Sequence, residues 1–125
     1  MLRALKHQLR PGGRTALLTI HVAPGLSAAA RRRALREGPR AVAARSDHLS
    51  MLRNAGYVDA IEIDVTAAFL HTARAWSQAS ERLGDELAPL EPPGAFAERQ
   101  ADRKRMISAI EDGLLLRSLY SARRR

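Results

Sequence analysis

The sequence predicts an α/β domain with a short sheet of three strands and flanking helices. Three observations carry this. Apolar stretches of strand type recur at residues 14–23, 59–65 and 114–122. The segments between them carry apolar residues at helical spacing. Turn residues punctuate the joins: Pro11-Gly12-Gly13, Pro24-Gly25, Gly38-Pro39, Gly56, 91–94 and Gly113. At 125 residues the chain makes one domain over 1–125.

In chain order, residues 2–9 read as the end of a helix with Leu2, Leu5 and Leu9 on one face. Pro11-Gly12-Gly13 turns the chain. The run Ala16, Leu17, Leu18, Ile20 and Val22 is nearly continuous, which predicts a strand buried on both faces. Ser27 is placed to cap a helix through residue 37. A second helix, about 46–55, starts at Ser46 or Asp47 and stops at Ala55-Gly56. Next, Ile61, Ile63 and Val65 alternate with Glu62 and Asp64, as expected of a half-exposed strand near a sheet edge. Thr66 is expected to cap a helix over about 67–88, with Trp76 as its main core anchor. A further helix spans about 95–112, with Phe96, Gln100, Arg103, Ile107 and Ile110 on one face. The last strand follows, then a basic tail, Arg123 to Arg125.

The chain has no cysteine, so thiolate metal sites and cysteine nucleophiles are excluded. No apolar run approaches the roughly 20 residues that span a bilayer, and residues 1–10 lack a signal-type apolar core, which predicts a cytoplasmic protein. The net charge is +8. It is uneven: residues 1–45 hold ten Lys/Arg and one acid, and residues 46–125 hold eleven and twelve. An Arg-rich segment, 31–45, is therefore a candidate surface for nucleic acid or an acidic protein. Aromatic platforms for single strands are lacking.

Three landmarks together resemble the class I S-adenosylmethionine-dependent methyltransferase family. Leu9-Arg10-Pro11-Gly12-Gly13, leading into residues 14–22, is similar to the turn before that fold's fifth strand. "LSMLRNAGYVDAIEIDV" is similar to the helix end that feeds the sixth. "GLLLRSLYSARR" resembles the seventh, which runs antiparallel. "DVTAAFLHTARAW" resembles an inserted helix of small-molecule members. The resemblance implies a partial Rossmann-like sheet, the C-terminal half of a methyltransferase. In that family the cofactor lies on the first four strands, which have no counterpart here. The glycines of Pro11-Gly12-Gly13 precede a strand, whereas phosphate-cradling loops follow one, and neither "GxxxxGK[ST]" nor "GxGxxG" is present.

The implied function is a fragment or split subunit of a small-molecule methyltransferase, inactive alone. It would hold S-adenosylmethionine only when a second chain supplies the missing half. Either that partner or self-association through the first strand is expected. The competing reading is a basic binding module that uses segment 31–45.

His21, at the carboxyl end of the first strand, and Thr72 and Trp76, four residues apart on one helix face, are the candidate substrate-binding residues. No catalytic residue follows from the sequence. His7, His21, His48 and His71 lack metal-ligand spacing, so no metal site is expected. Glu62 and Asp64 read as a solvated strand face.

Overall fold

The computed structural model describes residues 1–40, 42 and 47–125. Ser46, one of the two expected starts of the second helix, and part of the Arg-rich segment lie outside the described residues.

Three strands form one sheet: β1 (Arg14–Val22), β2 (Tyr57–Asp64) and β3 (Leu115–Arg124). Their spatial order is β1-β3-β2, and β3 is antiparallel to both neighbours. The strands β1 and β2 are therefore parallel to one another, and their carboxyl ends lie at the same end of the sheet. Leu18 pairs with Leu119, which pairs with Ile63; Ala16, Ser121 and Ile61 form the next row on the same face.

The turn before β1 explains its glycines. Gly12 has φ +78°, a left-handed conformation that only glycine adopts without cost. Its N–H donates to the Arg124 carbonyl at 2.9 Å, and the Arg124 N–H donates to the Gly13 carbonyl at 2.8 Å. The turn thus ties the start of β1 to the end of β3. The expected basic tail is largely absorbed here: Arg123 and Arg124 belong to β3, and Arg123 Nε bonds Asp59 at 2.8 Å. Asp59 has φ +53° at the register slip between Val58 and Ile61, a local bulge in β2.

Short helices α1 (Leu2–Gln8) and α3 (His48–Asn54) cover one face of the sheet. Leu52, Tyr57, Tyr120 and Ala122 are buried there, with Leu2, Leu9, Leu17 and Leu49 packed around them. On the other face lie α2 (Ala28–Glu37), α4 (Thr66–Arg82) and α6 (Ala95–Glu111), with α5 (Gly84–Leu87) and a 3-10 turn (Ala88–Leu90) between the last two. Val22 and Leu115 are buried against Ala34 of α2 and Ala109 and Ile110 of α6. The methyl side chains of Ala34 and Ala109 leave no surface exposed, so they seal the join between α2, α6 and the sheet.

The capping expectations meet mixed outcomes. Ser27 accepts from the Ala30 N–H at 3.1 Å and Asp47 from the Ser50 N–H at 3.0 Å, so both cap their helices. Gly56, at φ +85°, follows the end of α3 as expected. Thr66 does not cap α4. Asp64 accepts the Thr66 N–H at 2.9 Å, while the Thr66 hydroxyl accepts from the Arg117 N–H at 2.9 Å, stitching the helix start to β3. The expected helix over 67–88 is broken at Leu83, between α4 and α5.

The β1 strand lies at an edge of the sheet, as the absent preceding strands and the expected self-association through it imply. The difference is that it is not buried on both faces, contrary to what its apolar run suggested. Its nearly unbroken apolar run packs on both sides only at the carboxyl end, where Val22 is buried and Ile20 is packed against the core. Further back the helices of the second face do not reach. Leu18 is 52% exposed, and Ile61 and Ile63 across the sheet are 51% and 47% exposed. The β2 strand lies at the opposite edge, as its alternation predicts. Among the described residues, no helix is long and apolar enough to cross a membrane.

Candidate functional site

Two groups of side chains gather at the end of the sheet where β1 and β2 finish, one on each face. Ligand crevices of open α/β sheets lie at this end.

The first is a cleft of about 360 Å³ between α4, α6 and β3. Phe69, Thr72, Ala73 and Trp76 line it from α4, Arg103 and Met106 from α6, and Arg117 from β3. The α4 residues recur at three- and four-residue intervals, which puts them on one helix face. Thr72 and Trp76, both expected on sequence grounds, meet here. His71 points elsewhere and is exposed. Trp76 is 66% exposed, so it is not the core anchor its position on an apolar helix face suggested. Small residues do that work on α4: Ala73 and Ser77 are buried. The Arg117 guanidinium lies 4.1 Å above the centre of the Phe69 ring, a cation–π contact. Arg103 Nη1 donates to Gln100 Oε1 at 2.7 Å and Ser80 Oγ at 3.0 Å. Thr72 turns its hydroxyl back to the Ala68 carbonyl at 3.2 Å. It therefore presents its methyl and both oxygen lone pairs to its surroundings.

The second group lies on the opposite face, partly under α3. His21 is buried, with Nε2 3.0 Å from Ser118 Oγ and Nδ1 3.3 Å from the Val22 carbonyl. That carbonyl only accepts. In the neutral ring the proton then sits on Nδ1, and Nε2 accepts from the Ser118 hydroxyl. Glu62 Oε1 lies 3.9 Å from Nε2 and accepts from the Tyr120 hydroxyl at 2.7 Å. The His48 ring stacks at a tilt on Tyr120, centroids 4.9 Å apart. Burial, and then the hydrogen bond to the Glu62 carboxylate, push the Tyr120 phenol up to about 12. The hydrogen bonds from Thr66 hold Asp64 below the usual carboxylate range. Glu62 and Asp64 are both exposed, as a solvated strand face requires, and each also accepts a hydrogen bond from a protein group.

The three candidate residues thus divide: Thr72 and Trp76 share the cleft, and His21 lies across the sheet from it. Sequence reasoning missed Arg117, Arg103 and Met106 on one side and Ser118 and Tyr120 on the other. Arg117 and Ser118 are adjacent in a strand, so they point to opposite faces and serve different groups. Helical spacing from Gln100 and Ile107 was the one signal for Arg103.

These residues do not fit an S-adenosylmethionine site. The turn after β1 contains Pro24, which offers no N–H, and the start of α2 is already capped by Ser27. No glycine-rich loop follows a strand here.

The β1-β3-β2 order with a central antiparallel strand, and a cleft at the carboxyl ends of the parallel pair, define the class of fold: part of the sheet of S-adenosylmethionine-dependent methyltransferases. Solved structures bear this out. Phosphoethanolamine N-methyltransferase 2 of Haemonchus contortus, in complex with phosphomonomethylethanolamine and S-adenosylhomocysteine, matches with a TM-score of 0.80 at 14% identity. The match covers 98% of this chain and 29% of that one. A Galdieria sulphuraria protein assigned as a sarcosine dimethylglycine methyltransferase matches at 0.78 and 16% identity, over 98% of this chain and 45% of that one. The [4+2]-cyclase SpnF matches at 0.62 and 16% identity, over 98% and 42%. The chain therefore spans 29–45% of the length of the structures it matches. The shared part is the C-terminal half that the sequence landmarks suggested. No protein-family model and no curated protein matches the sequence. The cyclase among the matches is a reminder that this fold hosts more than one chemistry.

Proposed function

We propose that this chain is the acceptor-binding half of a small-molecule methyltransferase, inactive alone and completed by a polypeptide that carries the cofactor-binding half. The observation that carries the reading is the open edge of β1. This strand pairs with β3 on one side only, and its own Leu18 is about half exposed. Unpaired backbone groups next to apolar surface favour the addition of another strand. The coverage of its structural matches supports the same view: more than half of each lies outside the shared region. The small-molecule acceptor named for the Haemonchus protein supports the substrate class. In the completed protein the cleft would hold the acceptor between Trp76 and Arg117, with Thr72 at its wall. His21 and Ser118 would fix the carboxyl end of β1 from the other face. Positioning an acceptor against a methyl donor is a large part of catalysis in such a reaction.

The reading predicts that the isolated chain is not a monomer, because the β1 edge pairs with a second copy when the partner is missing. Light scattering across roughly 1–100 μM should give a mass that rises with concentration. A 13.7 kDa monomer throughout would show that the edge is self-sufficient and would remove the main support for a missing partner.

A further inference from the structure

We propose that the cleft between α4, α6 and β3 takes a small molecule with a flat apolar body and an oxyanion head. The body would lie against Trp76 and the oxyanion against Arg117 and Arg103. This deepens the acceptor-binding reading by naming the chemistry of the acceptor, and its test needs no cofactor.

The argument is one of uncompensated charge. Arg117 and Arg103 are each only partly exposed, and both border the cleft. Among the described residues neither guanidinium meets a carboxylate. Arg103 is held by two neutral acceptors, Gln100 and Ser80. Arg117 lies on the Phe69 ring, and its Nε is buried without a hydrogen-bond acceptor. Among the described residues, the other half-buried arginines of this face do find acids: Arg33 reaches Asp112 at 2.7 Å and Arg123 reaches Asp59 at 2.8 Å. Exposed Arg32, Arg36 and Arg82 meet no carboxylate either, but water solvates them, so the half-buried arginines of this face without an acid are the two at the cleft. A partly desolvated guanidinium gains most from an anion, and its planar fork suits an oxyanion. The rest of the lining is apolar or aromatic: Phe69, Ala73, Trp76 and Met106. Trp76, largely exposed beside this lining, offers a flat surface to a ligand at little cost in stability.

Trp76 is the sole tryptophan, so its emission reports on the cleft alone. The chain would be titrated with phenylacetate and, separately, with its neutral isostere phenylacetamide. The expected result is a saturable change in emission, with phenylacetate at least about tenfold tighter than the amide. Phenyl phosphate should compete with phenylacetate. Arg117→Gln or Arg103→Gln should erase the preference for the acid, and Arg99→Gln, at a surface arginine paired with Glu91, should leave it intact. Equal binding of acid and amide would overturn the proposal, as would the absence of any saturable change. Should a variant fail to fold, the acid-against-amide comparison on the unaltered chain decides the matter. Binding of the acid by a chain that never acquires a cofactor would leave the cleft standing and remove the methyltransferase reading.

Discussion

Tyr120→Ala is expected to unfold the chain or cost it about 3–5 kcal/mol, the range for truncating a buried aromatic residue. Tyr120 sits on the central strand with none of its surface exposed, among Leu52, Tyr57 and Ala122. Small domains have only about 5–15 kcal/mol of stability to lose. Tyr120→Phe separates the ring from the hydroxyl. It keeps the packing and loses the hydrogen bond to Glu62, a change of about 1 kcal/mol. The two variants also differ from the parent at high pH. The Tyr120 phenol is raised from 10.0 to about 12 in the folded chain. Above pH 10 the unfolded chain loses this proton while the folded chain keeps it, so stability falls as pH rises from 10 through about 12. Burial raises the Tyr57 phenol too, in the same direction. Denaturant titrations between neutral and strongly alkaline pH should show a shallower decline for Tyr120→Phe. An identical slope in both proteins would mean that Tyr120 does not set the alkaline limit. A Tyr120→Ala protein that melts with the parent would place the core elsewhere.

Leu18→Lys is expected to abolish association through the first strand while leaving the fold intact. Leu18 is half exposed, so a lysine there projects its charge into water at the folded edge. In a paired edge the same charge would be forced beside the side chains of an incoming apolar strand. Charged residues on edge strands block strand addition in this way. The concentration-dependent mass of the parent chain should drop to a monomer, with the association constant reduced by at least about tenfold. Unchanged association with an unchanged melting curve would place the contact away from β1.

The sequence made the elements legible but not their neighbours. Strand and helix positions followed from local signals: the apolar run at 14–22, the alternation at 61–65, the caps Ser27 and Asp47, and Gly56 after α3. Burial did not follow, because it depends on what lies across the sheet. The run from Ala16 to Val22 is apolar enough for a strand covered on both faces, yet α2, α4 and α6 reach only its carboxyl end. Trp76 misled for a related reason. It lies on the same α4 face as Phe69 and Ala73, but α6 presents Arg103 and Met106 there and an open cleft remains. Thr72 and Trp76 were found because helical spacing is a local rule. Arg117 and Ser118 were not, because their roles depend on a register between residues nearly a hundred positions apart, as His21 and Leu116 are. The charge excess was visible from composition alone, but which arginines lack an acid is a tertiary fact.

The central claim is that S-adenosylmethionine is held only after another polypeptide completes the sheet at β1. Isothermal titration of the cofactor tests it most directly, into this chain alone and into its mixture with a polypeptide carrying the glycine-loop half of the fold. The expected result is no specific heat with the isolated chain, and stoichiometric binding in the mixture that Leu18→Lys weakens. A dissociation constant below about 10 μM, near −7 kcal/mol, for the isolated chain would contradict it.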